Sequence, residues 1–179
     1  MDTVIDAQVL TDAVSDETAQ EHKVILLPVQ NRQTASTPLP VSPERIAQLL
    51  QAGGYKGQII ERDNGSFIES SAEGWKFRVI FFYDRSSNAN PHPTSLMLTA
   101  GWALDHDDAE IITKAANIFN MKFRYLKAYV VSDEEYTYTE AEMSHYCPNG
   151  MSDDDFNAYL DLFINLRQSY VSICREVRK

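Results

Sequence analysis

The sequence predicts an α+β domain in which helices flank one antiparallel sheet of about six strands, in the order α-β-β-β-β-α-β-β-α. Three observations carry this. Asn64-Gly65, the strongest short hairpin signal, sits between two short apolar-polar runs. Trp75 to Tyr83 and Ser95 to Leu104 alternate as half-buried strands do. Three other stretches carry apolar residues at helical spacing.

Residues 1–41 read as an acidic arm and linker ahead of a domain spanning 42–179. Asp2, Asp6, Asp12, Asp16, Glu17 and Glu21 precede the first base, Lys23, and a Thr/Ser/Pro stretch from Thr34 to Pro40 closes the segment. Inside the arm the apolar run Val24 to Val29 either adds an edge strand, docks on a partner or belongs to a free tail. The first helix starts at Ser42-Pro43-Glu44, a capping hydroxyl followed by a proline and an acid in the first turn. Its Ile46, Leu49 and Leu50 share a face until Gly53-Gly54 stops it. Strands follow near Gln58 to Arg62 and Ser66 to Ser71. After the Glu73-Gly74 turn comes the aromatic, β-branched strand Trp75 to Tyr83. Asp84 to Pro93 is a polar loop before the strand Ser95 to Leu104.

Asp107 to Asn120 predicts the second helix. Ala109, Ile111, Ile112, Ala115, Ala116, Ile118 and Phe119 cover about 180° of its wheel, wider than the usual stripe of about 100°. Such a helix has two surfaces to bury. A two-fold contact through Ile111, Ile112, Ala115, Ile118 and Phe119 would make a homodimer, whereas coverage by Val24 to Val29 would leave a monomer. A second hairpin, Phe123 to Val131 and Tyr136 to Met143, turns at Ser132 to Glu135. Ser152 with Asp153 to Asp155 then caps a long helix whose Phe156, Tyr159, Leu160, Phe163, Tyr170, Val171 and Cys174 recur at helical spacing.

Period-two geometry separates two sheet faces. Trp75, Phe77, Val79, Phe81, Leu96, Leu98 and Trp102 point one way, into a core with Leu160 and Phe163. On the other face the pattern sets Phe82 opposite Met97, Ile80 opposite Thr99, Tyr129 opposite Tyr138 and Tyr125 opposite Glu142. If the helices cover only the core side, Ile80, Phe82, Met97, Tyr125, Tyr129 and Tyr138 form an amphipathic aromatic surface fit to bind protein. The alternative is coverage of this face by a helix or the arm.

With 16 Lys and Arg against 26 Asp and Glu, the net charge of -10 opposes binding to nucleic acid. No apolar run approaches the roughly 20 residues of a membrane span, and no basic-then-apolar leader opens the chain. Two cysteines, Cys147 and Cys174, are too few for a disulfide scaffold. The expectation is a cytoplasmic protein.

Few residues invite chemistry. His145-Tyr146-Cys147 places an imidazole and a thiol on one side of an extended segment, but nothing supplies an orienting third group. Asp105-His106-Asp107-Asp108 offers oxygen and nitrogen ligands but sits where a helix N-terminus calls for capping carboxylates, as does Asp153 to Asp155, which lacks the glycine and spaced acids of a calcium loop. His22 belongs to the arm, and His92 lies between Pro91 and Pro93 in the polar loop. Arg167 falls inside the apolar stripe of the last helix, where its stem snorkels or its charge meets a carboxylate or ligand. No phosphate loop, dinucleotide fingerprint, nucleophile elbow or zinc spacing occurs, so the expectation is no enzyme, no cofactor and no metal.

The ordered set of motifs resembles the YbjN domain family, described as bacterial sensory transduction regulators and similar in fold to type III secretion chaperones. The matching stretches are Pro43 to Leu50 before Gly54-Tyr55, Ser70 to Gly74 leading into the aromatic strand, Asn117 to Asn120, Lys127-Ala128-Tyr129, and Phe156 to Leu162. They run in order from about Ser42 to Ile173. The resemblance implies a non-enzymatic, dimeric, protein-binding module with a type III secretion chaperone-like fold, and it transfers no catalytic residues. The acidic arm and the longer Asp84 to Pro93 loop depart from the bare domain. A competing expectation is a small-molecule sensor or enzyme with a pocket between the sheet and the C-terminal helix, using Arg167, His145 or Cys147. An acidic inhibitor of a basic partner is a third.

Overall fold

The computed structural model describes residues 37–63, 65–84, 92–132 and 136–179. The arm before residue 37, with Val24 to Val29 and His22, lies outside them, as do Asn64, most of the 84–93 loop and the 133–135 turn.

Three helices and six strands follow the predicted order: α1 (Pro43–Ala52), β1 (Gln58–Arg62), β2 (Gly65–Ala72), β3 (Trp75–Phe82), β4 (Ser95–Ala103), α2 (Ala109–Lys122), β5 (Lys127–Ser132), β6 (Thr137–Tyr146) and α3 (Asp153–Val177). The Ser42 hydroxyl accepts from the Arg45 amide at the start of α1, and the Ser152 hydroxyl from the Asp155 amide at the start of α3. Every strand pair is antiparallel, in the order β1-β2-β3-β4-β6-β5. β4 pairs with β6 rather than β5, so the crossover through α2 places β5 on the outer edge. There Asn120 of α2 bonds the Ala128 backbone twice, donating to its carbonyl (2.8 Å) and accepting from its amide (3.0 Å). A side-chain amide thus occupies part of the edge that another strand would otherwise fill.

All three helices pack on one face. α1 lies on β1 and β2, α3 on β4, and α2 on β5, β6 and α3. The core between the layers includes Ile46, Ile68, Phe77, Val79, Phe81, Leu96, Leu98, Leu160 and Phe163, all buried. Trp75 and Trp102, expected in the core, are only half-buried at its rim.

Three expectations need correction. Both hairpins are slipped by two residues: Ile80 faces Met97 and Arg78 faces Thr99, while Tyr129 faces Glu140, Lys127 faces Glu142 and Val131 faces Tyr138. Alternation selects the parity of a pairing, not its register, because a two-residue slip keeps every inward residue inward. The ends choose instead. The Thr94 amide donates to the Phe82 carbonyl (2.9 Å), and the Ser132 and Thr137 hydroxyls pair (2.8 Å).

The folded body also reaches back into the expected linker. Leu39 exchanges two backbone hydrogen bonds with Met151, Arg45 donates to the Leu39 and Pro40 carbonyls, and Val41 is fully buried. Finally, Ile112, Ala115 and Phe119 are fully buried within one chain. Phe119 stacks on Phe123 (4.6 Å between ring centroids) and meets Tyr170 edge-on (5.3 Å). The wide apolar arc of α2 is filled by the sheet edge and α3 together, so these three residues have no surface left for a second copy. Only Ile111 is exposed, and Ile118 is half-buried.

Candidate binding face of the sheet

With the helices on one side, the other side of the sheet is uncovered among the described residues, and its make-up follows from strand parity. Ile60, Phe67, Ile80 and Met97 stand in register across β1 to β4, forming an apolar row of half-buried side chains. Phe82 stands beside it, 45% exposed. The guanidinium groups of Arg62 and Arg78 lie over the Phe67 ring, 5.1 and 5.6 Å from its centroid.

The next row is charged: Glu69, Arg78, Thr99, Glu142 and Lys127 align across five strands. Lys76 bridges to Glu69 (2.9 Å), and this bond lowers the Glu69 carboxyl from its ordinary range. Thr99 donates to Glu140, and the Tyr129 hydroxyl is within hydrogen-bond distance of Glu140 (3.2 Å) and Glu142 (3.0 Å). Burial first, and then the two carboxylates, push the Tyr129 phenol well above its ordinary value. Between these charges runs a shallow groove of ≈ 380 Å³ flanked by Lys76, Arg78, Tyr138 and Glu140. Its floor includes Gly101, where a Cβ would sit 2.5 Å from the Thr139 carbonyl oxygen, so β6 approaches too closely for any side chain.

Of the six residues predicted for this surface, Ile80, Phe82 and Met97 come together at one end. Tyr129 and Tyr138 stand across the charged row, and Tyr125 lies before β5, 72% exposed. Ile60 and Phe67 complete the apolar row. Extending the alternation argument to the hairpin around Gly65 would have found both.

The chemistry-bearing motifs stay apart. His145 is exposed, with its ring 5.3 Å from that of Tyr159. Cys147 is buried, and burial pushes its thiol up, the opposite of an activated nucleophile. Arg167 instead stacks on Trp75 and Trp102, well along α3 from Tyr159. The three therefore do not share one pocket. Asp108 pairs with Arg178, His106 Nδ1 meets the Thr137 hydroxyl (3.2 Å), and Asp153 pairs with Arg45. His92 lies exposed near the end of the 84–93 loop.

A six-stranded antiparallel sheet carrying three helices on one face, entered through α1 and closed by a long C-terminal helix, is an arrangement with solved counterparts. The fold is YbjN-like. The crystal structure of YbjN from E. coli, described as a candidate transcription regulator, superposes with a TM-score of 0.57 at 9% identity, covering 78% of this chain and 93% of that one. An uncharacterized protein from Methanothermobacter thermautotrophicus superposes at 0.52 with 11% identity, over 76% of this chain and 98% of the other. No family model matches the sequence, and no curated protein does. At these identities the likeness to YbjN is one of fold. Among the described residues no helix is long and apolar enough to cross a membrane.

Proposed function

We propose that this chain is a non-enzymatic regulatory module that binds another protein through the uncovered sheet face. The observation that carries the reading is the confinement of all three helices to one side, which leaves the Ile60-Phe67-Ile80-Met97 row half-open beside Phe82. An apolar strip bordered by Arg62, Arg78, Glu69 and Glu142 suits an amphipathic segment, whose apolar side covers the strip while its charges meet the rim. The description of YbjN as a candidate transcription regulator is compatible with a regulatory role here. A charge of -10 favours exercising that role through protein contacts rather than direct contact with nucleic acid. Two free, buried thiols support residence in a reducing compartment such as the cytoplasm.

A photo-crosslinking residue at position 80 tests this in cells, with one at position 111 on the helical side as reference. A discrete heterologous adduct from position 80 only, lost on adding Phe67→Glu, is the expected result. Adducts of twice the chain's mass would replace the partner by a second copy, the homodimer outcome. Equal adducts from both positions, or none from position 80, would overturn the binding-face reading.

A further inference from the structure

On the helical side, away from the open sheet face, a cavity of ≈ 230 Å³ is lined by Trp102, Ile112, Val171 and Cys174 together with Arg167, Arg175 and Arg178. Arg167 and Arg175 stand on the last turns of α3 and Arg178 caps its C-terminus, and Arg167, Val171, Cys174 and Arg178 follow one another at helical spacing. In a chain with ten more acids than bases, three guanidinium groups around one small cavity are a local inversion of charge.

Their pairing is incomplete. Arg178 bonds Asp108. Arg167 lies over Trp75 and Trp102, 4.2 and 5.5 Å from the ring centroids, and its buried Nε has no hydrogen-bond partner among the described residues. Arg167 and Arg175 are close enough for the second charge to disfavour the first, with burial the larger cause and Glu73 a partial counterweight. Glu73 itself is engaged by Gln168. A guanidinium held by two aromatic faces keeps its in-plane donors for another acceptor, because stacking uses the faces and hydrogen bonding uses the edge.

We propose that this cavity is a binding site for a small oxyanion, a carboxylate or a phosphate, gripped by Arg167 and Arg175 with Trp102 as its apolar wall. The planar fork of arginine matches both anions, and a bound anion would relieve the repulsion between the two guanidinium groups. Because the site lies on the helical layer, it is independent of the partner-binding reading.

The test is a titration of the full chain with inorganic phosphate and, separately, with malonate. Ionic strength is matched with chloride, and tryptophan fluorescence and calorimetry are the readouts. The expected result is saturable binding of one or both anions. Arg175→Gln, at an exposed position, should weaken it about tenfold, while Arg124→Gln, exposed and outside the cavity, leaves it unchanged. Binding of phosphate alone assigns a phosphoryl ligand, and binding of malonate alone a carboxylate. No saturable response to either anion, or an Arg175→Gln chain that binds as tightly as Arg124→Gln, would overturn the site.

Discussion

The bond between Thr139 and Tyr170 joins the sheet to the long helix, and its removal has a predictable sign pattern. Both residues are fully buried, and their hydroxyls lie 2.6 Å apart. Thr139 also donates to the Tyr129 carbonyl at 2.9 Å. Its single proton is committed there, so Tyr170 is the donor to Thr139. Tyr170→Phe removes one hydrogen bond and leaves Thr139 its carbonyl acceptor, a loss of about 1 kcal/mol. Thr139→Val strands the Tyr170 proton in the core, near the weakly accepting Cys174 sulfur, and takes a donor from the Tyr129 carbonyl. That costs about 2–3 kcal/mol. In the double variant two apolar groups of the same shape meet, no proton is stranded, and the loss falls to about 1–1.5 kcal/mol. The double variant is therefore more stable than Thr139→Val alone. Urea unfolding followed by circular dichroism gives all four free energies and their coupling. If the double variant loses as much as the sum of the singles, the two hydroxyls are not partners and the donor assignment fails.

Two further outcomes follow from burial. Phe119→Ala should cost about 3–5 kcal/mol in the same unfolding assay, since it empties a site packed by Phe123 and Tyr170, while leaving the sedimentation coefficient unchanged. A change in oligomeric state would return Phe119 to an intermolecular contact. Cys147, Cys174, Tyr159 and Tyr170 all have proton affinities raised by burial, from ordinary values of 9.0 for the thiols and 10.0 for the phenols. The folded chain therefore holds protons that the unfolded chain releases. This contribution to stability is complete below about pH 9 and declines as pH rises further. A urea midpoint that is unchanged or higher at about pH 10 than at neutral pH would contradict it.

Local signals were enough for the elements. Ser42-Pro43, Ser152 with its aspartates, and the alternating run from Trp75 act within a few residues, through caps, fixed dihedrals and side-chain parity. The same parity places Ile80, Phe82 and Met97 on one sheet face from the sequence alone. The register did not follow, because slips by two residues leave that parity untouched and the choice falls to distant closures such as Thr94 on Phe82. Nor did the fate of α2. A wide apolar arc says that two surfaces are buried, but only the packing of α3 and β5 decides that both belong to the same chain. The arginine cavity lay furthest out of reach. Arg167 stands out in sequence as a charge in an apolar stripe, but its setting depends on Trp75 and Trp102 arriving from two strands, and on Arg175 and Arg178 turning toward the same hollow. Sequence alone determined which faces each helix and strand must bury. Tertiary structure decided what buries them, because that choice rests on contacts between residues far apart in the chain.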